Sequence, residues 1–186
     1  MKKNWVIFLI ITVFLVSVTS LAFGQEKKPA EGMYFRLVTH GGDDPFWAVV
    51  QQGMLDAAKE LGCQVDIDLA GSDLALQQKR FVEAVAQKPN GIALVINDDT
   101  AWDKPVEEAL AAGIPVIGIN NDDSQGPAGN KRLCYIGQSE ERAGYMIGLR
   151  LFQEAKERGI DLTKAHVAMP VEVPGAMYGV VRSDGV

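Results

Sequence analysis

The chain has 186 residues, with 18 Lys and Arg against 24 Asp and Glu, for a formal net charge of −6. Apolar residues at 47% and charged residues at 23% are ordinary globular values and exclude a disordered or fibrous chain, while the acidic balance repels phosphate backbones and so excludes a nucleic-acid partner. Two cysteines and two histidines, scattered along the chain, cannot assemble a structural zinc site.

Residues 1–24 read as an address. Lys2 and Lys3 precede an apolar run over 5–16, and Ala22-Phe23-Gly24 then sets small residues where a signal peptidase would cut. The alternative is a retained anchor, because 5–23 could just span a bilayer. Removing 1–24 takes away two lysines and no acid, so the remainder is more acidic still. Residues 25–32 (QEKKPAEG) read as a polar tether into the fold.

Strand and helix then alternate. Residues 33–38 (MYFRLV) form the first strand candidate. Asp44-Pro45 opens a helix as N-cap and first-turn proline, Phe46, Val50, Met54, Ala57, Ala58 and Leu61 recur at helical spacing, and Gly62 stops it. The strict alternation over 63–69 suits a half-exposed edge strand. Residues 73–87 form a second helix, with Leu74, Phe81, Val82 and Val85 expected inward. Residues 91–96 (GIALVI) make a continuous apolar run, the mark of a strand covered on both faces. A third helix is expected over 100–112, a second buried strand over 114–119 and a fifth strand over 133–136. A long helix over 139–158 and a strand over 165–169 follow.

Strand starts at 33, 63, 91 and 114 lie 30, 28 and 23 residues apart, the size of βαβ units with right-handed crossovers. The fold class is therefore α/β, a doubly wound parallel sheet. Strand order 2-1-3-4-5 would put Cys63 and Cys134 at opposite edges, beyond disulfide reach.

Ligands of such sheets bind beyond the carboxyl ends of the strands. The loops there carry His40, Asp43, Asp44, Asn97, Asp98, Asp99, Asn120, Asn121, Asp122, Asp123 and Gln138, beside Phe46 and Trp47. Acceptor-rich loops next to an aromatic face are what a polyhydroxylated neutral ligand requires: carboxylates take hydroxyl protons and a ring packs on C–H groups. His40 with Asp43 and Asp44 could also be drawn as a metal or acid–base cluster, and Asp122 and Asp123 as plain solvated turn residues. There is no phosphate-cradling glycine motif and no nucleophile elbow, so no cofactor, metal or catalytic step is expected.

The signal-like segment followed by a strand and DPFWAVVQQGMLDAAKELG resembles the first lobe of periplasmic sugar-binding proteins of the ribose/galactose type, which serve ABC importers. Matches continue with NGIALVINDDT, AAGIPVIGINND, YIGQSEERAG and VPGAMYGVVRSDG. The resemblance implies a first lobe over 33–137 and part of a second over 138–186. It also implies a periplasmic location, a small sugar as ligand and a membrane permease as partner, with membrane contact only through the signal peptide or that permease. A chemoreceptor or sensor-kinase partner is the alternative use of the same cleft.

By position, Asp44 resembles the family's polar residue at the first helix. Phe46 and Trp47 resemble its paired aromatics, with Trp47 expected to face the cleft and Phe46 to pack inward. Asn120 and Asn121 resemble its polar site after the fourth strand, Gln138 the hinge-side polar residue and Arg182 the second-lobe arginine. His40 sits where the family is variable. Two similar lobes would need on the order of a hundred further residues. The chain is therefore expected to be a fragment or truncated product that binds sugar weakly, with a poorly protected tail after Gln138.

Overall fold

A computed structural model describes residues 27–171 and 175–186. The signal-like segment lies outside the described residues. Lys27–Glu31, read from sequence as part of a tether, forms a turn against the fold instead: the Ala30 amide donates to the Leu61 carbonyl at 3.0 Å and Ala30 is buried.

Five strands and five helices follow: β1 (Tyr34–Thr39), α1 (Pro45–Leu61), β2 (Gln64–Leu69), α2 (Leu74–Ala86), β3 (Gly91–Leu94), α3 (Asp103–Ala111), β4 (Val116–Ile119), β5 (Tyr135–Ile136), α4 (Glu140–Glu157) and α5 (Met177–Gly185). The strands form one sheet in the order β2-β1-β3-β4-β5, and every pairing is parallel. Cys63 and Cys134 flank opposite edges and are free.

The two faces of the sheet are packed unequally. Against one, α2 and α3 bury Val38, Phe81, Ile92, Leu94, Ile96, Trp102, Val106 and Val116. Leu74 and Val85 of α2 pack there as read, but Val82 is 59% exposed: it falls beside the stripe that Phe81, Ala84 and Val85 define. Against the other, α1 covers Leu37 and Val95 with Trp47, Val50 and Met54. Ile117 and Ile119 of β4 are only half-buried and line an apolar groove of about 400 Å³ beside Val50 and Met54. The apolar run of this strand is thus fully covered on one face only, because α1 is the helix that packs on the second.

The stretch 165–169 is not a strand. It is exposed and irregular, since a lone strand with no neighbour leaves its backbone groups unpaired. His166 lies exposed within it.

Candidate functional site

The site grows from the carboxyl ends of β1, β2 and β4. After β1 the chain runs through His40-Gly41-Gly42 to Asp44, the N-cap of α1. Asp44 Oδ1 accepts from the amides of Phe46 at 2.9 Å and Trp47 at 3.1 Å, so the carboxylate fixes both aromatics at the helix mouth. The β2 loop is tied to the same segment: Ser72 N–H donates to the His40 carbonyl at 2.6 Å and Gly71 N–H to the Gly41 carbonyl at 2.8 Å. Ser72 (φ 66°) and Asn120 (φ 62°) both hold the left-handed backbone that side chains other than asparagine seldom take.

Trp47 and Phe46 exchange the places expected from sequence. Trp47, with Val50, Met54 and Ala58, lies on the inward stripe of α1 and is 6% exposed, whereas Phe46 is 55% exposed. The indole lies directly over Gly41, where an added Cβ would come within 2.1 Å of Nε1. Only a glycine permits that approach. Phe46 stands edge-on to Trp47, with ring centroids 5.2 Å apart, and is the open aromatic face.

The opposite wall comes from α5. Tyr178 stacks on His40, with centroids 6.4 Å apart and planes at 27°, and Arg182 lies 5.6 Å over the Tyr178 ring. Arg182 Nε donates to Glu140 Oε2 at 2.7 Å and Nη2 lies 2.5 Å from the same oxygen. Helix α5 reaches this position because it crosses α4 closely at Gly144, where a Cβ would meet the Arg182 carbonyl at 1.9 Å.

These parts enclose a pocket of about 230 Å³ lined by His40, Asp44, Phe46, Trp47, Asn120, Asn121 and Arg182, together with Gly41, Gly42, Ser72 and Tyr178. Gln138 is not on it. It lines an adjoining pocket of about 330 Å³ that shares Asn121 and Tyr178 with the first. Asn121 is 5% exposed, and its Nδ2 has no hydrogen-bond partner among the described residues: a buried donor at the junction of the two pockets. Beneath it, the Tyr135 hydroxyl donates to the carbonyls of Asn120 at 2.6 Å and Gln138 at 3.1 Å. Burial, with the charges of Glu140 and Asp122, pushes that phenol's pKa up, so it stays a donor.

Several acidic loop residues have structural partners, although Asp122 and Asp123 also line the adjoining pocket. Asp122 pairs with Arg132, whose Nη2 donates to Oδ2 at 2.7 Å. Asp123 is buried and accepts from the amides of Gln125 and Asn130. Neither is a plain solvated turn residue. The loop after β3 lines neither pocket: Asn97 accepts from the Trp102 indole, and Asp99 holds Ser124. Among the described residues, no group of three or more His, Cys, Asp or Glu is placed to hold a metal ion, and no helix is long and apolar enough to cross a membrane.

Sequence reading passed over Ser72, Tyr178 and Glu140. Tyr178 and Arg182 are spaced i, i+4 in one helix and so share a face, a signal that was available. The partner of Arg182 lies 42 residues away and left none.

The profile of the periplasmic binding protein domain matches residues 35–186. The chain belongs to this family. Among similar proteins, the xylose/arabinose-binding protein XylF of Sulfolobus acidocaldarius is 31% identical over 156 residues, covering 80% of this chain and 37% of that protein. The ribose import binding protein RbsB of Bacillus subtilis is 28% identical over 190 residues, covering 100% of this chain and 59% of its own length. Among solved structures, a carbohydrate transporter of Acidothermus cellulolyticus in complex with myo-inositol superposes with a TM-score of 0.71 at 28% identity, over 82% of this chain and 50% of that one. The sheet and its helices are the type I periplasmic binding protein fold, and the chain spans about half the length of the relatives it matches.

Proposed function

We propose that this periplasmic binding protein captures a small neutral carbohydrate in the pocket at the ends of β1, β2 and β4. It would deliver the sugar to the permease of an ABC importer, outside the cytoplasm, without a catalytic step. The observation that carries the reading is the pocket's composition: an exposed Phe46 lines it together with Asn120, Asn121 and Arg182. A sugar offers a ring the C–H face it packs on, and offers amides and guanidinium the hydroxyls they bind. The sugars for which the relatives are named, xylose, arabinose and ribose, make pentoses the first candidates. The sequence of the amino-terminal segment fits export.

Thermal shift and titration calorimetry with D-xylose, L-arabinose, D-ribose and myo-inositol test this, at concentrations far above any expected Kd so that mass action reports weak binding. Phe46→Ala should lose roughly 0.5–1.5 kcal/mol of sugar affinity with the fold intact. Trp47→Ala should act on stability instead, costing about 3–5 kcal/mol. Indifference to every sugar in the panel would sink the reading.

A further inference from the structure

We infer that Glu140 is a positioning and specificity residue of this pocket: by pairing with Arg182 it spends that cation's charge, so that the site admits uncharged polyols and turns away acidic ones. The inference rests on the carbohydrate reading above and narrows its ligand class. Among the described residues Arg182 is the only lysine or arginine lining the pocket, and an arginine there would otherwise invite a carboxylate or phosphate, which its fork of donors binds readily.

Here two of its five donors already meet Glu140 Oε2, at 2.7 and 2.5 Å, and the Tyr178 ring covers the guanidinium from 5.6 Å. The Glu140 side chain is 11% exposed, against 34% for Arg182, so the acid is the more deeply held partner and a buried carboxylate does not give up its cation cheaply. An anionic ligand reaching for Arg182 would therefore sit beside a fixed carboxylate, with that of Asp44 also on the pocket. A hydroxyl meets neither repulsion and can use the remaining N–H groups.

The test follows the Arg182 Nε–H resonance in nitrogen-labelled full chain during titration with D-glucose, D-glucuronate and sulfate. In the unsubstituted protein D-glucuronate should bind at least about tenfold more weakly than D-glucose, and sulfate should give no saturable shift. In Glu140→Gln, sulfate should shift the resonance saturably and glucuronate should gain about tenfold on glucose. Glu140→Asp keeps the charge and should still reject sulfate. The inference is overturned if the unsubstituted protein binds glucuronate as tightly as glucose. It is equally overturned if Glu140→Gln with a native far-UV spectrum rejects sulfate, or if Glu140→Asp accepts it. Should neither glucose nor glucuronate move any resonance, the carbohydrate reading is decided by the pentose and myo-inositol panel above, while the sulfate titrations still decide the role of Glu140.

Discussion

In residues 33–137 the buried side chains are large and contiguous: Phe81, Trp102, Ile92, Leu94, Ile96 and Val116 are each at most 2% exposed. In residues 138–186 the buried positions among those described are Gly144 and Gly179, which have no side chain to bury. Helix α4 instead leaves Tyr145, Met146 and Phe152 more than half exposed. Both regions carry regular helices, yet among the described residues only the first has a buried apolar core. The pocket straddles them, taking Phe46 and Asn121 from the packed region and Tyr178 and Arg182 from the unpacked one. What registers the second pair is a backbone crossing at Gly144 and one ion pair to Glu140, together with the stack of Tyr178 on His40 of the packed region. A binding wall can thus be placed accurately by close approach and charge, while resting on little buried area.

The widest separation between the regions should appear on truncating a phenylalanine in each. Phe81→Ala removes a fully buried ring in contact with Trp102 and should cost about 3–5 kcal/mol, a large share of the roughly 5–15 kcal/mol that holds a typical domain. Phe152→Ala, at 54% exposure, should stay within about 0.5 kcal/mol. Urea unfolding of the two variants gives the contrast directly. A comparable loss from Phe152→Ala would mean that α4 buries its apolar face after all.

The next effect is smaller and local. Gly144→Ala drives a methyl into the Arg182 carbonyl and should push α5 off α4, an overpacking cost of about 1–3 kcal/mol. Because α5 packs chiefly on α4 and is no part of the buried clusters of 33–137, hydrogen exchange should rise across Met177–Gly185 while protection in β1, β3 and β4 is unchanged. Exchange that rises everywhere would show the two regions to be one cooperative unit.

Most of the packed region was legible in the sequence, because its signals are local. Asp44-Pro45 and Gly62 bound α1 as read, the strand spacings pointed to a parallel doubly wound sheet, and the order 2-1-3-4-5 expected of it is the one the pairings display. The errors fall where a residue's place depends on something distant. Periodicity admits both Phe46 and Trp47 at the start of α1, and the choice is made by Gly41, over which only one ring can lie. Val82 was one position off the buried stripe of α2. The strand expected at 165–169 needed a neighbour to pair with, which a single segment's alternation does not supply. At the site, His40, Asp44, Phe46, Trp47, Asn120, Asn121 and Arg182 were drawn from separate stretches and meet on one pocket, whereas Gln138 faces the next. Glu140 was invisible because an ion pair across 42 residues has no sequence period.

The smallest expected effect belongs to the packed region and depends on pH. Asp98 Oδ1 accepts from the amides of Thr100 at 2.9 Å and Ala101 at 2.8 Å, and from the Thr100 hydroxyl at 3.2 Å. Those backbone bonds hold its pKa below the ordinary 3.8, against a smaller opposing push from burial. A carboxyl whose folded pKa is depressed contributes stability above its unfolded pKa and loses it as pH falls through the folded value. Asp98→Asn keeps a carbonyl acceptor but has no charge to lose. The stability gap between parent and variant should therefore be widest above about pH 5, at no more than about 1 kcal/mol, and close on acidification below pH 4. Urea midpoints of both proteins through that range measure it, read on the unfolding of 33–137. A gap that stays constant, or opens as the pH falls, would show that the bonds to Thr100 and Ala101 do not favour the ionised form.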